Sequence, residues 1–349
     1  MTRPAPRLCF VGPHIGVHAG KVPTQSLLLF RRFRASGHGA LSCSPARNRY
    51  LRLLDTLKTL VWHRRRYDIG CVEVFSGRAF VIADLASLVA RLLGKRIVLA
   101  LHGGGLPAFA ERHPRWVRRV LARADRIVAP SRFLARCAAA SGRPAQVIPN
   151  GLDLANYPWR LRGPVEPRLF WMRTFHSVWN PALAVRVLAR VRVALPAATL
   201  VMAGQDRGER GVVERLAGAL GVRDAVRFPG FLDAEGKARE GGGAEIFLNT
   251  NRVDNAPVAV LEACALGLPV VSTVVGGIPD LLRDGETGVL VPEGDTAAMA
   301  AAVVRLVRDA ELARRLSRNG RLLAEACDWG VVQARWEELF CDVHREATA

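Results

Sequence analysis

The amino-acid sequence predicts an α/β protein of two domains, each with a parallel β-sheet covered by helices. The first observation is that short apolar runs alternate with segments of 3.6-residue apolar periodicity along the chain. The second is that 349 residues are enough for two hydrophobic cores. Hydrophobic residues make up 50% and charged residues 23%, a globular composition that excludes a disordered chain.

The predicted elements follow the alternation that parallel sheets require. In the first half we predict strands at Leu8–Val11, Cys71–Phe75, Arg96–Leu101 and Arg126–Ala129, and helices at Gln25–Phe33, Leu51–Val61 and Phe80–Leu93. In the second half we predict strands at Leu169–Met172, Thr199–Ala203, Ala225–Phe228, Ile246–Asn249, Pro269–Val275 and Val289–Val291, and helices at Pro181–Val193, Gly211–Leu220, Pro257–Leu266 and within Ala297–Leu323. We therefore expect two Rossmann-like domains facing each other across a cleft, with ligands at the carboxyl ends of the strands.

Proline and glycine mark the boundary between the two halves. Tyr157–Pro167 has the composition of a linker, so we place the first domain at residues 1–160 and the second at 161–326. Residues 327–349 are predicted to form a final helix.

Several protein classes are excluded. Asp84 and Arg91 interrupt the run from Ala79 to Leu93, so no 18-residue membrane span is predicted. Because a strand is predicted at Leu8–Val11, we expect no signal peptide. Seven irregularly spaced cysteines contain no CxxC pair, which argues against a disulfide framework. We expect a cytoplasmic protein with reduced thiols.

The positive charge is concentrated in the first half of the chain. Residues 1–150 contain 26 basic and 6 acidic residues, a net charge of +20, whereas residues 151–349 have a net charge of −1. The spacing of Arg115, Arg118, Arg119 and Arg123 predicts one basic helix face, and Arg64, Arg65 and Arg66 follow Trp62 and His63. A solvated surface explains any single cluster, but the sum favours an anionic partner. We expect peripheral attachment to an anionic membrane; nucleic acid is the less favoured partner because no recognition motif is present.

Residues 254–273 have the pattern of a ligand-binding helix. Asp254 and Glu262 lie on either side of the helix start, where Asn255 is expected to cap and Pro257 occupies the first turn. Gly267 is expected to end the helix. The free N–H groups at its start, near Pro257 and Val258, suit a phosphate.

This segment resembles the signature of the family 4 retaining glycosyltransferases, which have the GT-B fold. The matching residues after the helix are Gly267, Pro269, Val270, Val271, Thr273, Gly276, Gly277, Asp280, Asp284, Gly285, Thr287, Gly288, Leu290, Val291 and Asp295. Further matches are L-H-G-G-G at 101–105, R-A-D-R-I-V-A-P-S at 123–131 and V-I-P-N-G-L-D at 147–153, so the resemblance covers nearly the whole chain.

The resemblance implies a role for individual residues. Glu262 would bind the ribose of a sugar nucleotide, Asp254 would hold donor-sugar hydroxyls, and Arg173 would contact the diphosphate. Gly20 would admit the diphosphate to the first loop, and His102 would approach the sugar. The first domain would bind the acceptor, and the final helix would return to it. The reaction would need no metal and no cofactor besides the nucleoside-diphosphate sugar.

Three residues depart from the family pattern. Asp254 stands where glutamate is commoner, Val178 replaces a lysine that contacts the diphosphate, and the first loop reads H-A-G-K-V-P-T-Q. Our hypothesis is that Lys21 supplies the missing positive charge. A P-loop is rejected, because the glycine spacing from Gly16 is one residue short and Val22 provides no hydroxyl. The alternatives are a non-catalytic GT-B protein that binds a nucleotide sugar or a partner transferase, and a sugar-nucleotide epimerase, whose motifs differ.

Overall fold

The computed structural model describes residues 5–17 and 23–348. The chain forms two compact units, Met1–Gly151 with Gly330–Ala349, and Leu152–Trp329. In the described residues each unit contains one six-stranded parallel sheet flanked by helices. The predicted α/β class is therefore confirmed.

The first unit is built on a sheet with the strand order β2-β1-β3-β4-β5-β6. The strands are β1 (Leu8–Val11), β2 (Ala40–Ser42), β3 (Ile69–Val74), β4 (Arg96–Leu101), β5 (Arg126–Ala129) and β6 (Gln146–Val147). The helices between them are α1 (Gln25–Ala35), α2 (Arg49–Trp62), α3 (Phe80–Leu92), α4 (Leu106–Arg112), α5 (Pro114–Leu121) and α6 (Arg132–Ala140). The strand order reverses between β1 and β3. Ligands of such sheets bind at the carboxyl ends of the strands at this switch point.

The second unit has a sheet with the order β12-β11-β10-β7-β8-β9. The strands are β7 (Arg168–Met172), β8 (Thr199–Ala203), β9 (Val226–Gly230), β10 (Ile246–Asn249), β11 (Val270–Thr273) and β12 (Val289–Val291). The helices are α7 (Pro181–Ala194), α8 (Arg210–Ala219), α9 (Ala234–Gly243), α10 (Val258–Ala265), α11 (Ile278–Leu281), α12 (Thr296–Arg308) and α13 (Ala310–Glu325). The switch point of this sheet lies between β7 and β10.

The last helix, α14 (Trp329–Thr348), packs aromatic side chains against the start of the chain. Phe340 lies edge-on to Phe10 of β1 and to Phe33 of α1, with ring centroids 6.1 and 5.5 Å apart. This apolar face explains why residues 330–349 group with the first unit.

The strands and helices predicted above coincide with observed elements to within a few residues, but β2, β6, α4, α6 and α11 are not among the predictions, and neither is α9. It ends in Gly241–Gly243, and successive glycines have poor helix propensity. Packing overrides that propensity: a Cβ at Gly241 would lie 2.4 Å from the side chain of Leu266, so only glycine lets the helix approach so closely. The N-cap Asp233 accepts the Gly236 N–H at 2.8 Å and fixes the other end.

The prediction of a linker at Tyr157–Pro167 is wrong. Tyr157, Arg162 and Val165 are buried. The Arg162 guanidinium donates to the carbonyls of Gly241 and Ala244 at 3.2 and 3.3 Å. These contacts tie the segment to α9, and the second unit accordingly begins at Leu152.

Candidate functional site

Two loops meet at the carboxyl edge of the second sheet. Asp254 follows β10, Gly276 and Gly277 follow β11, and the Gly277 N–H donates to the Asp254 carbonyl at 3.1 Å. A Cβ at Gly276 would lie 1.9 Å from that same oxygen, and φ of Gly276 is +53°. Only glycine permits this approach. The contact holds the buried Asp254 next to the start of α10.

Asp254 forms an ion pair with Arg173. The two residues follow the neighbouring strands β10 and β7, so the switch point brings them together. Arg173 Nη2 donates to Asp254 Oδ2, and the guanidinium carbon lies 4.3 Å from the centroid of the Trp179 ring. Arg173 Nε is buried and has no partner among the described residues. An anion that accepts this N–H would complete the hydrogen bonding of the guanidinium.

Asn251 belongs to this site, and the sequence analysis missed it. Its Nδ2 donates to Asp254 Oδ2, and its backbone carbonyl accepts from Thr273 Oγ1 at 2.6 Å. Its Oδ1 is buried and has no partner among the described residues. A buried amide oxygen is costly without a donor, so the site suits a hydroxyl. The available signal was the polar run 249–251 at the end of an apolar strand.

Glu262 lies in the second turn of α10 and is 5% exposed. Its Oε1 accepts from Tyr157 Oη at 2.7 Å and from Lys237 Nζ at 2.6 Å. Burial and the Glu262 carboxylate raise the pKa of Tyr157 well above its ordinary value, so its hydroxyl stays protonated. The sequence analysis missed both partners. The signal for Lys237 was that the chain contains only four lysines.

The N-cap residue of helix α10 has no side chain that can cap it. The helix begins at Val258, and Pro257 is the N-cap residue in an extended conformation. Asn255 therefore does not occupy the N-cap position predicted for it, and its own N–H donates to Asp254 Oδ1 at 2.7 Å. Gly267 ends the helix as predicted, with φ of +81°. The first N–H groups of a helix lack intrahelical acceptors, so this end suits an anion.

In the first unit, His102 follows β4 and lies against Glu73 of β3. Nε2 of His102 is 3.4 Å from Glu73 Oε1, and its ring stacks on Phe75 with centroids 5.3 Å apart. Burial lowers the pKa of His102 to about 4 and raises the pKa of Glu73 to about 7. His102 is therefore neutral near pH 7. The sequence analysis missed Glu73, and the only signal was an acidic residue inside an apolar strand.

The first-loop residues Gly20 and Lys21 lie outside the described residues, so their donor contacts stay predictions. Val178, at the position of the family's lysine, is half-buried, and its carbonyl accepts the Arg252 N–H at 2.9 Å. The cations that pair with the two predicted acidic residues are Arg173 and Lys237.

The predicted basic surface of the first unit is exposed. Its residues are Arg64, Arg65 and Arg66, which follow α2, and Arg115, Arg118 and Arg119, which lie on α5. Arg119 also pairs with Asp84 at 2.9 Å. The expectation that Arg123 extends this helix face is wrong, because α5 ends at Leu121. Arg123 is mostly buried and pairs with Asp84 at 2.6 Å.

Over residues 5–17 and 23–348, no cluster of three or more His, Cys, Asp or Glu side chains is placed to hold a metal ion. Over the same ranges, no helix is both long and apolar enough to span a bilayer. The metal-free reaction that the resemblance implies stays a prediction.

Two family profiles match the chain. The profile of glycosyl transferases group 1 matches residues 165–323, and that of Glycosyltransferase Family 4 matches residues 27–156. The chain belongs to glycosyltransferase family 4. The first range contains Arg173, Asp254 and Glu262, and the second contains Glu73 and His102.

Curated relatives of this family 4 chain share part of its length. A phosphatidyl-myo-inositol mannosyltransferase of Mycobacterium leprae is 32% identical over 206 residues, which are 56% of this chain and 53% of that protein. A glycogen synthase of Mycobacterium tuberculosis is 27% identical over 78% of this chain and 69% of its own length. A D-inositol 3-phosphate glycosyltransferase of Geodermatophilus obscurus is 30% identical over 60% of this chain and 51% of its own. The chain thus matches about half the length of the first of these relatives.

Solved structures confirm the GT-B fold class of this family 4 chain. Anabaena HepE in complex with UDP and glucose superposes with a TM-score of 0.78 at 18% identity, covering 97% of this chain and 100% of HepE. Sucrose-phosphate synthase from Thermosynechococcus elongatus has a TM-score of 0.80 at 19% identity, covering 97% of this chain and 99% of that one. At this identity the likeness shows the fold alone.

Proposed function

We propose that the protein is a retaining glycosyltransferase that moves a sugar from a nucleoside-diphosphate sugar to a glycan or lipid-linked acceptor in cell-envelope polysaccharide synthesis. The observation that carries the proposal is the set of groups around α10 at the second switch point. These groups are the start of α10, whose N-cap residue is a proline, the buried Glu262, and Arg173, whose buried Nε has no partner among the described residues.

Each of these groups matches one part of a nucleoside-diphosphate sugar. Arg173 and the α10 N-terminus would bind the diphosphate, and Glu262 would accept from the ribose hydroxyls. Asp254 would accept from sugar hydroxyls, as would Oδ1 of Asn251, which has no partner in the part of the chain that the structure describes. HepE, which shares the fold, was solved with UDP and glucose, and the M. leprae relative is a mannosyltransferase.

The reaction would depend on electrostatic stabilisation of the leaving diphosphate. Arg173 and the helix N-terminus place positive charge where negative charge develops as the sugar departs. The acceptor would attack the same face of the sugar, which gives retention. Gly20, Lys21 and His102 of the first unit would contact the donor, as the family resemblance implies, and the reaction would proceed without a metal.

A ligand panel tests this proposal. UDP, GDP, ADP and their sugar conjugates are added to the wild type and to Glu262→Gln, and thermal unfolding and sugar transfer are measured. A ligand at about 100 times its Kd adds about 2.7 kcal/mol to the stability of the folded state. Glu235→Gln on α9 is the matched control, because it makes the same change at an exposed glutamate.

The outcomes separate the candidate functions. A shift with one nucleotide, lost in Glu262→Gln but kept in Glu235→Gln, together with transfer, supports the transferase. A shift without transfer supports the alternative, a non-catalytic nucleotide-sugar-binding protein, which Val178 in place of the usual lysine favours. No shift with any nucleotide contradicts both.

Attachment to an anionic membrane is the second part of the proposal. Helix α2 exposes apolar side chains next to the basic residues 64–66. They are Tyr50 (65% exposed), Leu51 (60%), Leu54 (64%), Val61 (45%) and Trp62 (75%). An exposed apolar face beside arginines fits a bilayer surface, where the apolar groups enter the headgroup region and the guanidinium groups meet lipid phosphate.

Vesicle flotation tests the attachment. We expect binding to vesicles that contain phosphatidylglycerol, weakened by salt and lost in Leu54→Ser/Trp62→Ser. Leu322→Ser, which removes an apolar side chain of similar exposure on α13, is the matched control and is expected to bind like the wild type. Failure of the wild type to float with anionic vesicles contradicts the attachment but not the transferase.

A further inference from the structure

A small cavity lies at the carboxyl end of β3, beside the switch point of the first sheet. Its volume is about 20 Å³, and it is lined by the polar side chains of Gln25, Glu73, His102 and Asn150 and by Trp336 of α14. That volume accommodates about one water molecule. The cavity therefore places His102 beside a carboxylate that lies outside the motifs matched in the sequence.

Glu73 accepts hydrogen bonds from the Thr24 side chain and from the Ser26 backbone in this cavity. Its Oε1 accepts the backbone N–H of Ser26 at 3.0 Å and faces His102 Nε2 at 3.4 Å. Its Oε2 is buried without a partner among the described residues. A Cβ at Gly12 would lie 2.1 Å from Oε2, so the glycine that follows β1 makes room for the carboxylate. A buried and incompletely bonded carboxylate lowers stability, which indicates a use other than packing.

We propose that Glu73 is a positioning residue that holds the Nε2–H tautomer of His102 and so leaves Nδ1 as the hydrogen-bond acceptor offered to a substrate hydroxyl. The contact of His102 with substrate rests on the proposed function. The effect of Glu73 on the ring does not.

The geometry selects this tautomer. A neutral imidazole carries one N–H, and the nitrogen that faces a carboxylate oxygen is the one that carries it. The separation of 3.4 Å is long for a hydrogen bond, as is common in unliganded sites that tighten when substrate binds. Stacking on Phe75 restricts the ring, so a flip that exchanges the two nitrogens is disfavoured.

Two histidines and a cysteine lie around Glu73 in the described residues, and Glu73 is the one of these four whose pKa lies near 7. His14, which follows β1, has its pKa lowered to about 4 by burial, as has His102. The thiol of Cys71 on β3 has its pKa raised far above its ordinary value by burial and by Glu73. Glu73 itself has a pKa of about 7, raised by burial.

Nitrogen-15 NMR of histidine-labelled protein tests the proposal directly. In the wild type at pH 8 we expect His102, assigned with His102→Asn, to be the Nε2–H tautomer. In Glu73→Gln we expect a mixture, because the amide can either accept from Nε2–H or donate to Nε2. Asp125→Asn is the matched control: this partly buried carboxylate of the same unit binds Arg96 and the Ile97 N–H, and its loss is expected to leave His102 unchanged.

Two further results decide the proposal. If Glu73→Gln does not fold, a pH titration of the wild type is used instead. The nitrogen-15 chemical shifts of the His102 ring are then expected to change as Glu73 ionises around pH 7. Shifts that stay constant through this pH range overturn the proposal. An unchanged tautomer in a folded Glu73→Gln also overturns it.

Activity provides the second readout. We expect kcat of the wild type to rise with pH through about 7, and kcat of Glu73→Gln to be flat and on the order of tenfold lower at pH 8, the effect of one hydrogen bond. If the wild type transfers no sugar, the proposed function fails while the NMR result still stands. If transfer occurs with the same pH profile in both proteins, the positioning role is wrong.

Discussion

The two sheets place polar groups at equivalent positions but treat their charges differently. At the switch point of the second sheet, Arg173 pairs with Asp254, and nearby Lys237 pairs with Glu262, so each buried carboxylate has a cation. At the switch point of the first sheet, Glu73 lies beside the neutral His102 and accepts hydrogen bonds from Ser26 and Thr24, which carry no charge. Charged pairs suit an ionic ligand that can exchange with them, whereas a neutral pair suits hydroxyl groups.

The two sites are also expected to respond differently when one partner of a buried pair is removed. In the second unit, deletion of one partner leaves an unpaired buried charge. In the first unit, the same kind of deletion removes a group that is itself costly to bury. The following variants are chosen to test this contrast.

The largest effect is expected for Arg173→Gln. It leaves Asp254 buried without its cation, so we expect a loss of about 3–5 kcal/mol in the free energy of unfolding, measured with urea. Nucleotide binding is expected to be lost as well, because the diphosphate loses its arginine.

A double variant separates the two effects. Arg173→Gln/Asp254→Asn removes both charges and is expected to recover most of the stability, but not nucleotide binding. If the double variant is no more stable than Arg173→Gln, the pair does not act as a charge pair, and the contrast between the units fails.

The next effect is the pH dependence of stability. The Glu73 carboxyl keeps its proton to about pH 7 in the folded state, whereas a glutamate in the unfolded chain ionises near 4.5. The folded state therefore binds more protons between these values, and Glu73 lowers stability as pH rises from 4.5 to 7. His14 and His102, with pKa values lowered to about 4, act in the opposite sense between pH 4 and 6.5.

Glu73→Gln separates the contribution of Glu73 to the pH dependence of stability from that of the two histidines. The stability of the variant relative to the wild type is expected to rise by about 3 kcal/mol between pH 4.5 and 7, measured by urea unfolding at each pH. A difference that stays constant over this range would show that Glu73 does not titrate there.

The same contrast explains what could be predicted from sequence. Asp254, Glu262 and Arg173 lie in or beside a motif whose spacing is local, so their roles follow from a short stretch of chain. Tyr157 and Lys237 reach Glu262 from positions 105 and 25 residues away in sequence, which no local pattern shows.

The wrong prediction of a linker and the failure to predict Glu73 also have physical causes. The segment predicted as a linker is rich in proline and glycine, but its buried Arg162 finds backbone acceptors that only the folded unit provides. Glu73 interrupts an apolar strand, and its meaning depends on His102, which is supplied by the neighbouring strand. In both cases the structure depends on contacts between residues that are far apart in the sequence.

A smaller effect is expected at Gly276. Gly276→Ala places a methyl against the Asp254 carbonyl in a left-handed conformation, so we expect a loss of about 2–3 kcal/mol and weaker nucleotide binding, measured by thermal unfolding and titration. Gly285→Ala, also left-handed but with no atom within 4 Å of the new Cβ, is expected to cost about 1 kcal/mol and to leave binding unchanged. Equal losses in the two variants would mean that the close approach does not shape the site.

The smallest effect is expected for Tyr157→Phe, which removes one hydroxyl from Glu262. We expect nucleotide affinity to fall about fivefold, equivalent to about 1 kcal/mol, because the carboxylate loses one of the two donors that orient it. Tyr67→Phe is the control: it removes a buried hydroxyl that donates to the Leu60 carbonyl at 3.2 Å in the first unit, so it should cost similar stability and leave affinity unchanged. If Tyr157→Phe instead binds nucleotide more tightly, the hydroxyl competes with the ribose for Glu262. The hydrogen bond between Tyr157 and Glu262 would then weaken nucleotide binding instead of orienting the carboxylate for it.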